Sequence, residues 1–188
     1  MKAAVYYKTG PPDVLQYEDV ADPVCAPDGV SIAVEAISIE GGDVGNRARG
    51  EMPKVPHIVG YQCGGTILEV GAEVRDRKVG ERVVAIMMHG SHAERVAVPA
   101  GFTFVVPDGL AVEVAACVPI PFGTADDCLF EFGRLRKGET VLIQAGASGV
   151  GIAAVQLAKR AGATVIATAG SDDKLARLRD EFGLDHGV

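Results

Sequence analysis

Glu139-Thr-Val-Leu-Ile-Gln-Ala145 is a short apolar run with β-branched residues, the composition of a buried strand. Gly146-Ala-Ser-Gly-Val-Gly151 follows it, and then Ile152-Ala-Ala-Val-Gln-Leu-Ala-Lys-Arg160, a run of good helix formers. Ala161-Gly162 closes that helix, as glycine near a helix end commonly does, and Thr164-Val-Ile-Ala-Thr168 reads as a second buried strand. Strand, glycine-rich turn, helix and strand make a βαβ unit with a right-handed connection. The spacing puts Gly146 at a tight turn, Ser148 where a dinucleotide fingerprint has its second glycine, and Gly151 where the helix packs closely on the strand. Gly146, Ala147, Ser148, Gly149, Val150 and Gly151 are therefore the expected cradle for a pyrophosphate, which free N–H groups and the positive end of a helix would hold. The plainer alternative is a glycine loop that only turns the chain; the flanking elements, all present and in order, favour the cradle.

The end of the second strand bears on which nucleotide fits. Sites for NAD usually carry Asp or Glu there for the ribose hydroxyls, whereas this chain has Ala169-Gly170-Ser171-Asp172-Asp173-Lys174. Position 170 is not acidic. Ser171 is placed to cap the next helix, and Lys174 falls in that helix's first turn. Gly170, Ser171 and Lys174 suit a 2′-phosphate, so NADPH is expected in preference to NADH. An ordinary solvated helix lysine, partly offset by Asp172 and Asp173, is the alternative for Lys174.

The chain has 188 residues, 48% of them hydrophobic, with 24 Gly and 10 Pro. This is a globular composition, sufficient for one large or two small domains. A diffuse formal charge of −7 argues against nucleic-acid binding, which wants a basic face. No apolar run has the length of a membrane span, and Met1-Lys-Ala-Ala-Val-Tyr-Tyr-Lys8 lacks a signal-peptide core, so no membrane partner and a cytoplasmic location are expected. Cys25, Cys63, Cys117 and Cys128 form no C-x-x-C pair and no zinc-type cluster with histidine; they are expected to be buried thiols in a reducing compartment.

The segments before residue 107 read as short strands punctuated by Gly and Pro: Lys2–Tyr7, Val14–Val20, Val30–Ile39, Gly60–Gly71, Val79–Met88, Val96–Pro99 and Phe102–Val106. Such spacing predicts a compact, barrel-like all-β unit. A short helix is expected over Ala111–Val118, stopped by Pro119 and Pro121, and another over Thr124–Phe132. Composition thus shifts from β-rich to α/β near residues 107–124.

Taken together, Met1-Lys-Ala-Ala-Val5, Pro11-Pro-Asp-Val-Leu-Gln-Tyr-Glu-Asp19, the Gly42-Asp43 to Arg47 to Gly50 segment, Pro56-His-Ile-Val-Gly60, Gly64-Gly-Thr-Ile-Leu-Glu-Val-Gly71, Gly80-Glu-Arg-Val-Val-Ala85, Ser91-His-Ala-Glu94 and the Gly138–Lys174 block resemble the medium-chain dehydrogenase/reductases, in their zinc-free quinone oxidoreductase (zeta-crystallin-like) branch. The likeness covers essentially the whole chain. It implies an α/β plus β architecture: a GroES-like β-rich catalytic domain over residues 1–123, then the start of a Rossmann doubly wound parallel sheet that binds NADP over 124–188, with the active site in the cleft between them. It also implies a homodimer if the full-length chain is present. The family's chains are close to twice this length, so the 188 residues are expected to be part of a longer protein, ending where a third Rossmann strand would begin and leaving a two-stranded sheet.

The zinc-containing branch has Gly-His-Glu at the Gly60 position, where this chain has Gly60-Tyr61-Gln62, and neither replacement is a good zinc ligand. His89 and His92 are read as a surface loop pair, so no metal is expected. Without a Lewis acid, the chemistry implied is hydride addition to a conjugated acceptor, a quinone or an α,β-unsaturated carbonyl, whose charge spreads into an enolate or hydroquinone. In the relatives an Asn-x-x-Asp segment lies beside nicotinamide and substrate; here it reads Glu40-Gly-Gly-Asp43, with Gly45 where a Tyr often stands. Glu40 is a candidate proton donor if burial raises its pKa, or a residue that only fixes the loop. Asp43 matches the family, and Arg47 can anchor the loop through it or form an ordinary surface pair. Thr124 matches a threonine near the nicotinamide carboxamide, or is simply a helix cap, while Asp127 stands where some relatives carry Tyr. Tyr61 is a further cleft candidate, with ordinary core material the alternative, since buried Tyr is common there. The reading is an NADPH-dependent, zinc-independent reductase; the alternatives are an NADPH-binding non-catalytic relative or an interaction module on the same fold.

Overall fold

A computed structural model describes the whole chain, Met1–Val188. The chain forms two compact units, Met1–Pro119 and Ile120–Val188.

The first unit is built on a five-stranded antiparallel sheet. Its strands are β3 (Gly29–Ile37), β4 (Gln62–Val70), β5 (Arg82–Ile86), β6 (Arg95–Pro99) and β7 (Thr103–Val105), in the order β6-β3-β4-β5-β7. A separate two-stranded ribbon, β1 (Lys2–Val5) with β2 (Gln16–Asp19), lies beside it. The alternation read in the sequence is realised with period two: Val30, Ile32, Cys63, Ile67, Val83, Ala85, Val96 and Val98 form one buried cluster. The opposite face carries a smaller cluster of Val84, Val106 and Ala115. Two irregularities in the β3–β4 register, at Ser31/Ile32 and Val34/Ala36, bend the pair, as bulges do. Gly65 allows the closest approach there, since a Cβ on it would sit 1.9 Å from the Ala33 carbonyl oxygen.

Between β3 and β4 lies α1 (Gly41–Arg49), a helix the sequence did not announce. Gly41, Gly42 and Gly45 each lower helix propensity by about 1 kcal/mol relative to alanine. Capping offsets part of that: Asp43 accepts the Glu40 backbone N–H at 2.8 Å, which satisfies an amide at the helix entrance.

α2 is confined to Val112–Ala115, and Pro119 begins α3 (Pro119–Asp126) instead of stopping a helix. The physical reason is positional: proline is at home in a helix's first turn, where its missing N–H would be unbonded anyway. α3 widens into a π-helical stretch over Asp127–Phe132.

The second unit carries a parallel sheet of β8 (Thr140–Ile143), β9 (Thr164–Ala167) and β10 (His186–Gly187), in the order β10-β9-β8. The third strand has therefore formed, as a two-residue piece, and the sheet is not two-stranded. Helices α4 (Gly149–Arg160) and α5 (Asp172–Phe182) contribute Ala153, Ala154, Val155, Ala158, Leu175 and Leu178 to a core with Ile143, Val165 and Ala167. β8 is not buried on both faces as its sequence predicts: Leu142, facing away from that core, is 56% exposed. Asp185 pins the end of the unit by accepting the Val165 N–H and pairing with the Lys159 ammonium, both at 2.7 Å.

The cysteine expectation needs correction. Only Cys63 is buried; Cys25 is intermediate, and Cys117 and Cys128 are exposed. Cys63 sits on the inner face of β4, whereas Cys117 follows α2 and Cys128 lies on the open side of the π-helical stretch.

Candidate functional site

In the first unit, Glu40, Asp43 and Tyr61 come together around the entrance of α1. Glu40 Oε1 accepts from the Ser38 hydroxyl at 2.7 Å and from the Gln62 amide at 2.7 Å, and that amide also bonds Ser38 Oγ at 2.5 Å. Glu40 is thus an acceptor in a closed triangle, which favours the loop-fixing role over the donor role. Gln62 is fully buried and directs its amide into this triangle, so the position that holds a zinc ligand in metal-dependent relatives serves a hydrogen-bond network here. No group of three or more His, Cys, Asp or Glu is placed to hold a metal ion.

Asp43 is 2% exposed. Burial pushes its carboxyl above the ordinary value, against the opposing pull of the Glu40 amide and His92. Arg47 does not pair with it: the guanidinium bonds the Gly10 carbonyl instead. The imidazole of His92 lies beside the carboxylate instead, with Nε2 3.9 Å from Asp43 Oδ2. His92 turns inward and burial lowers its pKa, while His89 is exposed and faces His57, with ring centroids 5.0 Å apart. The two histidines are not a surface pair; they face different partners because the Gly90 turn between them, at φ +113°, reverses the chain.

Tyr61 is fixed from two sides. Asn46 donates to its hydroxyl at 2.8 Å, and its ring lies over Gly42, where a Cβ would come within 2.5 Å of Cε2. Asn46 is a residue that the sequence did not single out; its place one turn beyond Gly42 on α1 was hidden with the helix itself. The Tyr61 O–H makes no hydrogen bond of its own to the protein.

In the second unit, the glycine turn forms a cradle. Ala145 adopts the left-handed conformation, φ 51°, and reverses the chain after β8. Thr168, at the end of β9, grips the turn: its hydroxyl accepts from Ala145 N–H at 3.0 Å and its carbonyl from Gly146 N–H at 2.8 Å. Ser148 is the N-cap of α4 and its hydroxyl accepts the Gly151 N–H at 3.1 Å. A Cβ on Gly151 would lie 2.3 Å from the Ala145 carbonyl oxygen, and one on Gly146 would lie 2.7 Å from Ala167 Cβ. Gly149, by contrast, has nothing within 4 Å of such a Cβ. The N–H groups of Ala147, Gly149 and Val150 bond to no protein acceptor. Three unbonded amides at a helix N-terminus fit a diphosphate, so these residues fit the nucleotide that the sequence implies.

Gly170 is open, and Ser171 stands at the N-cap of α5 without a side-chain capping bond. Its hydroxyl is therefore not used by the helix. Lys174 is exposed and lines a cavity of about 230 Å³ with Ala147, Ile152, Arg177, Leu178, Glu181 and Phe182. Thr124 lies within α3, exposed, and is not a helix cap, because the helix starts five residues earlier at Pro119. Thr168 is the residue of this cradle that the sequence reading missed; a threonine at a strand end carries no signal until its partner turn is placed.

Residues 26–108 match the alcohol dehydrogenase GroES-like domain. The highly reducing polyketide synthase dmxL2 of Cryptosporiopsis sp. (strain 8999) is 37% identical over 174 residues, 92% of this chain and 7% of that protein. The synaptic vesicle membrane protein VAT-1 homolog of Rattus norvegicus is 35% identical over 177 residues, 93% of this chain and 43% of its own. Among solved structures, the Escherichia coli quinone oxidoreductase complexed with NADPH superposes with a TM-score of 0.93 at 27% identity, covering 100% of this chain and 58% of that one. The chain thus spans less than two thirds of the length of these relatives. No helix is long and apolar enough to cross a membrane. With a GroES-like β-rich unit followed by the beginning of a parallel nucleotide-binding sheet, the chain belongs to the medium-chain dehydrogenase/reductase superfamily, alongside its zinc-free quinone oxidoreductases.

Proposed function

We propose that this chain carries the coenzyme cradle and part of the catalytic machinery of an NADPH-dependent, zinc-independent reductase acting on a quinone or an α,β-unsaturated carbonyl, enoyl thioesters included. The observation that carries the reading is the turn Gly146–Gly151, whose Ala147, Gly149 and Val150 amides bond to nothing in the protein. The likeness to a quinone oxidoreductase complexed with NADPH and to a reducing polyketide synthase supports it. When bound, NADPH supplies a hydride. The cradle amides hold the diphosphate, and Ser171 and Lys174 favour a 2′-phosphate. Tyr61, its oxygen committed to Asn46 and its proton unused, supplies a hydrogen bond or a proton to an acceptor oxygen that gains charge. Glu40 and Asp43 hold the loop in register.

The test is NADPH oxidation followed with a panel of quinones, enones and enoyl thioesters. Turnover on at least one class is expected. Tight NADPH binding with no turnover on any class would favour a second reading, a coenzyme-binding protein without catalysis. The departures from the family pattern at Glu40, Gly45 and Asp127 are the observation behind that reading.

A further inference from the structure

Four buried polar atoms of the first unit have no hydrogen-bond partner: Tyr6 OH, Asp43 Oδ1, Ser91 Oγ and His92 Nε2. They are neighbours. Backbone bonds stitch three segments together here: Ser91 N–H and His92 N–H reach the carbonyls of Gly60 and Val59, and Ala4 N–H reaches the His92 carbonyl. α1 brings Asp43 to the same place, 3.9 Å from His92 Nε2. Gly60 is the floor, since a Cβ on it would meet Ser91 Oγ at 1.9 Å and His92 Cδ2 at 2.7 Å. Tyr6 lies within the fields of Asp43 and Arg47. Tyr6 and Ser91 are fully buried, Asp43 is 2% exposed, and the His92 side chain is 10% exposed.

Leaving one such group without a partner costs about 1–3 kcal/mol, and native interiors rarely leave several together. His92 Nε2 lies 3.9 Å from Asp43 Oδ2, too long for a direct hydrogen bond, so Nε2 and the other carboxylate oxygen are both left for a bridging water. A buried water takes two to four polar partners, and four are supplied.

We propose that Asp43 Oδ1, Ser91 Oγ and His92 Nε2, with Tyr6 OH at the margin, form a binding site for a buried structural water. It ties the Gly60 turn and the 89–92 loop to α1 through the carboxylate whose other oxygen caps the Glu40 amide.

Two measurements test it. A crystal structure of the chain should show a solvent oxygen within hydrogen-bond distance of at least two of the three central atoms; a dry site, with those atoms bonded directly to one another, overturns the proposal. Ser91→Ala should lower the melting temperature by about 2–4 °C, the scale of one lost hydrogen bond in a chain of this size. A rise on Ser91→Ala overturns it as well, because removing a hydroxyl that truly lacks a partner relieves its desolvation cost. Tyr6→Phe gives the same reading if Ser91→Ala does not fold.

Discussion

The Asn46 side-chain amide donates to the Tyr61 hydroxyl at 2.8 Å, linking the middle of α1 to the residue just before β4. With the Tyr61 ring seated on Gly42, the hydroxyl oxygen accepts from Asn46 and its O–H is not committed to a protein acceptor. Tyr61→Phe is therefore expected to lower kcat about 10²-fold, the lower end of what a placed acid contributes, with little change in KM. Asn46→Ala should give a smaller loss in kcat. Steady-state kinetics on the best acceptor of the panel decide it, and an unimpaired Tyr61→Phe enzyme would remove Tyr61 from the chemistry.

Gly149 and Gly151 are two positions apart in sequence and opposite in role: one faces open space and the other faces backbone. Gly151→Ala should destabilise the second unit by about 1–3 kcal/mol, the usual cost of overpacking, because its Cβ would lie 2.3 Å from the Ala145 carbonyl oxygen. Gly149→Ala should leave stability nearly unchanged and weaken NADPH binding. Thermal melts beside coenzyme titrations separate the two effects.

Lys174→Ala should weaken NADPH about tenfold, or about 1.4 kcal/mol, and leave NADH affinity unchanged. Equal losses for both coenzymes in a calorimetric titration would show that Lys174 does not read the 2′-phosphate.

The cysteines should react in a fixed order. Burial pushes the Cys63 thiol up to about 12, which leaves almost no thiolate near neutrality. Cys117 and Cys128 are exposed and should be alkylated first, with Cys63 modified only on unfolding. Mass spectrometry of a time course checks the order; early labelling of Cys63 would contradict the burial of β4's inner face.

Asp185 should make stability acid-sensitive. The Lys159 ammonium and then the Val165 N–H hold its carboxyl below the ordinary 3.8. A carboxylate whose pKa is depressed by folding adds stability above its unfolded pKa, and that stability fades as pH falls through the folded value. Asp185→Asn should lower the melting temperature at neutral pH and flatten its fall below about pH 4. Melts across that range would expose the opposite result, a mutant curve parallel to the parent's.

Much of the fold was legible because strands and the βαβ unit advertise themselves locally. Val30, Ile32 and Val34 alternate, and Gly146–Gly151 sits between a β-branched run and a helix-forming one. α1 was not legible: Gly41, Gly42 and Gly45 argue against a helix, and only the Asp43–Glu40 cap and the ring over Gly42 argue for it. Thr124 was placed at a helix start because Pro119 and Pro121 read as stops, whereas a proline's meaning depends on which turn it occupies.

By itself, the sequence determined the order of elements, the glycine turn between a strand and a helix, and the absence of a zinc-ligand pattern at Gly60-Tyr61-Gln62. Only the tertiary structure decided that the polar atoms of Tyr6, Asp43, Ser91 and His92 are buried without partners, that Thr168 holds the glycine turn, and that Asn46 bonds Tyr61. Periodicity and turn chemistry act between residues a few positions apart, so they are written in the chain. Hydrogen bonds between residues separated by up to 92 positions depend on sheet register and helix placement, which emerge only when the whole chain has packed.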